Sequence, residues 1–158
     1  MNAIDFTTHL LVEQTPAEVF AAINNVRGWW IDEIEGASAA LDDEFAVRFE
    51  DIHYSRQKLA EFVPGAKIVW LVTDSRLNFL KDKTEWNGTK IVFEISRHDN
   101  KTDLSFTHQG LLPQIECYSE CSNAWQGFIT KSLFSLITTG QGQPYHPKKM
   151  ANTNSNKN

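Results

Sequence analysis

The chain has 158 residues, 41% hydrophobic and 22% charged, with a net charge of −5; this balance suits one globular domain and excludes a disordered, collagen-like or disulfide-scaffold protein. The acidic balance and the lack of any run of Lys or Arg remove the footprint that phosphate-backbone binding requires, so nucleic acid is not an expected partner. The longest apolar run, Ile68 to Val72, is far shorter than the roughly 20 residues of a membrane helix, and the first residues lack a basic segment leading into an apolar one, so a cytoplasmic protein without membrane insertion is expected.

Phe6 to Glu13 is rich in β-branched and apolar residues and reads as a strand. Thr15 then has N-cap character, Pro16 suits the first helical position, and Glu18 completes a capping box, so a short helix starts here. Val19, Phe20 and Ile23 form its apolar stripe, and Asn24, Asn25 and Gly28 break it before a second short helix or turn carrying Trp29 and Trp30. From Ile31 to His108 the punctuation predicts about six strands in a meandering antiparallel sheet. Phe45, Val47 and Phe49 alternate with Ala46, Arg48 and Glu50, and residues 53–62 alternate less cleanly. Ile68 to Val72 reads as a more fully buried strand. Asn87-Gly88 is a hairpin signal, followed by Ile91, Phe93 and Ile95 on one strand face. After a turn at Asp99-Asn100, Leu104, Phe106 and His108 share a face. From Ile115 to Thr138, apolar residues recur at three- and four-residue steps through Tyr118, Cys121, Trp125, Ile129, Leu133 and Ile137, predicting one long amphipathic helix capped at Gly140. Residues 1–145 are read as one domain and 146–158 as a disordered polar tail. The fold class is α+β, and the sheet, needing a cover for its apolar face, is expected to curl around the long helix.

That order resembles the helix-grip fold of the START-like (SRPBCC) superfamily. Thr15-Pro16-Ala17-Glu18-Val19-Phe20 with Trp29-Trp30, Lys83-Thr84-Glu85-Trp86-Asn87-Gly88-Thr89, Phe106-Thr107-His108-Gln109-Gly110-Leu111, and Trp125 with Gly140-Gln141-Gly142-Gln143-Pro144 look like bacterial single-domain relatives of the activator of heat-shock-protein-90 ATPase. The resemblance covers about residues 6–145 and brings no shared catalytic residues. It implies a curved antiparallel sheet around a long C-terminal helix, two short helices after the first strand, and a cavity between sheet and helix. The eukaryotic activator carries a separate N-terminal chaperone-binding domain that this chain does not supply.

Trp30, Trp70, Phe93, Phe106, Tyr118 and Trp125 fall where they can face that interior, either filling the core or lining a ligand pocket. His108, on the face of Leu104 and Phe106, is a candidate polar anchor or proton acceptor. Tyr54 and Arg56 share a strand parity and are candidates to offer polar groups to the same cavity. Cys117 and Cys121 lie on one helix face; two ligands do not make a zinc site, so both are read as thiols, and no metal or cofactor is expected. The carboxylates Asp32, Glu33, Glu35, Asp42, Asp43 and Glu44 fall at strand edges and turns, where a solvated surface is expected. No nucleophile elbow, phosphate loop, dinucleotide fingerprint or zinc-protease motif is present. The leading expectation is a carrier of a small apolar or amphipathic molecule that performs no covalent chemistry. Its rivals are a stress-related module with a chaperone partner, and a cyclase- or hydrolase-like enzyme using His108 with Tyr54 or Tyr118. Oligomeric state is not legible in the residues.

Overall fold

The computed structural model describes residues 5–113 and 115–146. Strand β1 (Phe6–Val12) leads to helices α1 (Pro16–Asn24) and α2 (Val26–Trp29), then strands β2 (Glu35–Gly36), β3 (Glu44–Phe49), β4 (His53–Val63), β5 (Lys67–Leu77), β6 (Lys90–His98) and β7 (Lys101–Gln109). The last element combines helix α3 (Tyr118–Gly127), a π-helical stretch (Phe128–Leu133) and helix α4 (Phe134–Thr139). The seven strands form one antiparallel sheet in the order β1-β7-β6-β5-β4-β3-β2. The architecture is the helix-grip α+β fold that the resemblance implies.

The early punctuation works as its chemistry requires. Thr15 Oγ1 accepts from the Glu18 amide at 3.1 Å, and the Glu18 carboxylate accepts from the Thr15 amide at 2.9 Å, two otherwise orphaned donors satisfied reciprocally. Val19 and Ile23 are fully buried, whereas Phe20 is half-buried and meets Phe62 edge-on.

Two expectations change. Asn87-Gly88 does not join adjacent strands by a tight hairpin. β5 runs on to Leu77, beyond the Lys67–Leu71 stretch that pairs with β6, and residues 78–89 make an excursion before the chain returns. The Gly88 amide then donates to the Val72 carbonyl. The long C-terminal helix is also interrupted by its π stretch. Cys121, Trp125, Ile129, Leu133 and Ile137 are buried at strict four-residue intervals, and each such step overshoots the α-helical turn by about 40°. The wider π turn swings the stripe back toward the sheet, a correction that period counting alone does not reveal. His146 belongs to the described structure and pairs with Asp32; the rest of the polar tail lies outside the described residues.

Gly140 ends the helix in the left-handed region (φ 87°), and the chain then turns back under α2. The Gln143 amide donates to Ser132 Oγ at 2.8 Å, and that hydroxyl donates to the Trp29 carbonyl at 2.7 Å. A Cβ on Gly142 would lie 2.2 Å from the Gly28 carbonyl oxygen and 3.0 Å from that of Ser132, both backbone atoms, whereas one on Gly127 meets nothing within 4 Å. Gly142→Ala is therefore expected to destabilise by about 1–3 kcal/mol through overpacking. Gly127→Ala should stabilise by about 0.5–1 kcal/mol by removing backbone freedom from the unfolded chain. Thermal unfolding of the two variants should move the melting temperature in opposite directions.

Candidate functional site

All five tryptophans of the chain join one buried cluster. Trp29, Trp30 and Trp70 stack with ring centroids 5.6–6.2 Å apart. Trp30 lies 5.0 Å from Trp125, and Trp125 stacks on Trp86 at 6.0 Å. Phe93 and Phe106 pack against the same group. The middle of the sheet-helix interface is thus filled by rings.

A cavity of about 660 Å³ opens beside that cluster, at the end of the sheet where β4 and β5 outrun β6. Its floor is Trp30 and Phe49, the excursion contributes Phe79, Leu80 and Trp86, and the helical side contributes Cys121, Ala124, Trp125 and Phe128. Ile52 and Phe79 line it while remaining 54% and 44% exposed, beside the exposed carboxylates Glu116 and Glu120. These four residues mark the mouth.

The excursion is held to the start of α3 by two carboxylates acting in opposite directions. Glu85 accepts from the amides of Glu116 (3.0 Å) and Cys117 (2.9 Å). Glu116 in turn accepts from the Lys81 amide at 3.0 Å and the Asp82 amide at 3.3 Å, and those backbone donors hold its carboxyl below the usual range. Cys117 and Cys121 lie one turn apart at the start of α3, Cα atoms 5.5 Å apart, with their side chains side by side. Among the described residues no group of three or more His, Cys, Asp or Glu side chains is placed to hold a metal ion.

Of the residues named from sequence, Trp30 and Trp125 line the cavity. Trp70, Phe93 and Phe106 are wholly buried in the ring cluster, and neither they nor Tyr118 lines this cavity. His108 is 0% exposed, and both ring nitrogens are used. Thr89 Oγ1 gives its proton to the Trp86 carbonyl at 2.7 Å, so it accepts from His108 Nε2–H at 2.9 Å; Trp125 Nε1–H donates to His108 Nδ1 at 3.0 Å. The network fixes the neutral Nε2–H tautomer. Burial, reinforced by the nearby His53, pushes its pKa down to about 3. His108 is sealed, and an enzyme reading that needs it at an open cavity loses its base.

Tyr54 and Arg56 have the opposite parity from the one expected. They face outward, Tyr54 beneath the Arg48 guanidinium at 4.4 Å and Arg56 paired to Glu44 at 2.8 Å. The inward residues of β4 are His53, Ser55 and Gln57, opposite Phe49, Val47 and Phe45 of β3. Residues directly opposite in an antiparallel pair share a face, so the clean alternation of β3 carried the signal that places His53 inside.

His53 is the imidazole at the cavity. Its ring meets Trp86 edge-on at 4.7 Å, and Trp86 meets His108 likewise at 4.7 Å. Gln57 Nε2 donates to Ser55 Oγ at 2.5 Å, and Ser55 lies 2.9 Å from His53 Nε2. Ser55 is 0% exposed, and its hydroxyl links the Gln57 side-chain amide to His53 Nε2. Burial pushes the His53 pKa down to about 3, and the ring keeps part of its surface accessible where it lines the cavity.

No family model matches the sequence, and no curated protein matches it significantly. Solved structures do match in fold. The Aha1 dimer from Colwellia psychrerythraea is 20% identical with a TM-score of 0.70, over 88% of this chain and 99% of that one. Mll3558 from Rhizobium loti is 16% identical with a TM-score of 0.68, over 86% and 97%. CalU16 from Micromonospora echinospora is 13% identical with a TM-score of 0.62, over 87% and 78%. The likeness is one of fold, the helix-grip arrangement of a curved antiparallel sheet with a C-terminal helix. No helix among the described residues is long and apolar enough to cross a membrane.

Two neutral buried histidines set a pH dependence. Below pH 6.5 the unfolded chain protonates both, while the folded chain resists until about pH 3, so the unfolded state binds more protons and stability falls as pH falls through that window. Each histidine contributes up to about 1.4 kcal/mol per pH unit. Urea midpoints measured from pH 7 to pH 4 should decline, and His108→Gln should make the decline shallower. Glu85→Gln should speed amide exchange at Glu116 and Cys117 while leaving the global urea midpoint nearly unchanged.

Proposed function

We propose that this protein binds a small apolar or amphipathic molecule in the cavity between the end of the sheet and α3, without covalent chemistry. The observation that carries the reading is the pair Ile52 and Phe79, about half exposed at the mouth of an aromatic-walled cavity of about 660 Å³. That volume lies within the range of about 300–1,000 Å³ common for small-molecule sites, and the lining has the expected character, mostly apolar with few polar groups. An occupant would cover the exposed rim and replace water against the accessible phenyl rings of Phe49, Phe79 and Phe128.

A protein-partner reading, with a chaperone as the partner, is favoured by the likeness in fold to the Colwellia Aha1 dimer. Recovery of a chaperone on immobilised protein, with a change in that chaperone's ATPase rate, would support it.

Native mass spectrometry of freshly purified protein, beside a denatured sample, should show extra mass that is lost on unfolding. Ala124 lines the cavity from α3, so Ala124→Trp should fill it. We expect that variant to keep its melting temperature and lose both the adduct and at least tenfold in affinity for an added apolar fluorophore. Unaltered binding by a folded Ala124→Trp protein would place the ligand elsewhere.

A further inference from the structure

We infer that the cavity takes an organic cation, a molecule whose apolar body sits against the accessible phenyl rings and whose ammonium-type head meets Glu120 at the mouth. The inference rests on the binding reading above and names the ligand class of the same site. Three observations carry it.

The first is where the apolar surface lies. The indoles of the lining offer an occupant little to touch, since Trp30, Trp86 and Trp125 are only 2–3% exposed. Phe49, Phe79, Phe128 and Ile52 keep accessible surface. The Asn78 amide donates to the Ile52 carbonyl at 2.8 Å, so the segments that carry Ile52 and Phe79 are bonded to each other at the rim. Apolar contact is therefore concentrated toward the opening. A molecule held there keeps its polar end at the mouth, beside whatever charge the mouth carries.

The second is the sign of that charge. The lining contains Glu116 and Glu120 and no Lys or Arg, and His53 is uncharged at neutral pH. The segments that supply the mouth and the helical wall share this bias. Residues 49–53, 79–86 and 116–128 hold Glu50, Asp51, Asp82, Glu85, Glu116 and Glu120 against Lys81 and Lys83. That is an excess of four negative charges in a chain whose net charge is −5. A concave site surrounded by one sign of charge focuses its potential and raises the local concentration of the opposite ion.

The third is which carboxylate is open to a ligand. Glu85 and Glu116 are spent on holding the excursion to α3. Lys81 and Lys83 stand close enough to Glu116 to favour its charge, and Lys83 Nζ also donates to the Leu80 carbonyl at 3.0 Å. Glu120 is exposed in the first turn of α3 and has no hydrogen bond or ion pair among the described residues. A carboxylate in a first helical turn already gains from the macrodipole. Its place in the cavity lining gives Glu120 a second use, as the counter-ion of a cationic head. An anionic head would meet like charge there, and a neutral one would gain no ion pair.

Three octyl compounds test this on the full chain by isothermal titration calorimetry at about pH 7 and low salt: octylammonium, 1-octanol and octanoate. They share one apolar body and differ in the charge of the head. Octylammonium should bind about threefold more tightly than 1-octanol, the size of one exposed ion pair, and about tenfold more tightly than octanoate, which the same field repels. Both margins should shrink as salt is raised to about 0.5 M. Glu120→Gln should abolish the margin of octylammonium over 1-octanol. Glu94→Gln, which removes one exposed carboxylate of β6 outside the lining, should keep it. The wild-type comparison of the three compounds does not depend on a variant folding. Octylammonium no tighter than 1-octanol, octanoate the tightest of the three, or a margin that survives Glu120→Gln overturns this inference and leaves the binding reading standing. Failure of all three to bind overturns both.

Discussion

Trp125 holds together the three parts that make the site. Its indole N–H donates to His108 on the sheet. Its ring packs 5.0 Å from Trp30 at the end of α2, 4.8 Å from Phe106 on β7 and 6.0 Å from Trp86 in the excursion. Helix, sheet and the segment over the cavity therefore meet on one side chain. Each aromatic pair adds about 0.5–1.5 kcal/mol beyond the area it buries, but the larger consequence is geometric. An indole with its N–H committed to an imidazole has one orientation, and that orientation sets the plane in which Trp86 stacks. The cavity wall is fixed from the core outward.

The same arrangement explains why two histidines can sit side by side at this end of the fold. Two imidazolium ions here would repel one another in a site with little water to screen them. Burial resolves this by keeping both rings neutral at physiological pH. Their hydrogen-bond patterns divide the roles. His108 spends both nitrogens on the protein and is structural, fastening Trp125 and Thr89. His53 is bonded through Nε2 to Ser55 and lines the cavity. Identical residue types, both neighbours of Trp86, thus differ in setting: one is bonded through both nitrogens and buried, the other lines the cavity.

The architecture was largely written in the sequence because it rests on local chemistry. The capping box at Thr15, the alternation of Phe45, Val47 and Phe49, and the apolar stripe from Cys121 to Ile137 each follow from a short-range rule. The site was less legible because it depends on comparisons between strands. Alternation within β4 is weak, with register shifts between Arg56 and Gln57 and between Leu59 and Glu61, so parity read along that strand alone pointed to Tyr54. Pairing to β3 reverses the assignment. Likewise, Asn87-Gly88 has the chemistry of a tight turn, but nothing in those residues shows that β5 continues to Leu77 and that the turn belongs to the return of a longer excursion.

That excursion is also why a cavity exists in a protein so rich in aromatic residues. Where β6 lies beside β5, the rings of Trp70, Phe93 and Phe106 fill the space beneath the helix. Past Leu71 the strand loses its β6 neighbour, and β5, β4 and β3 continue as a narrower ribbon whose inner face carries Ser55, Gln57 and Ser75 among its residues. Small polar side chains cannot fill the volume left by the missing strand. Residues 78–89 fold back along its edge, anchored by Ser75 Oγ to Asn87 at 2.6 Å and by Glu85 to the start of α3. A covered hollow remains between ribbon, excursion and helix. Its polar inner face would be a packing fault in a closed core, since a buried polar group left unsatisfied costs about 1–3 kcal/mol. Here it borders the cavity instead, where His53 is part of the lining.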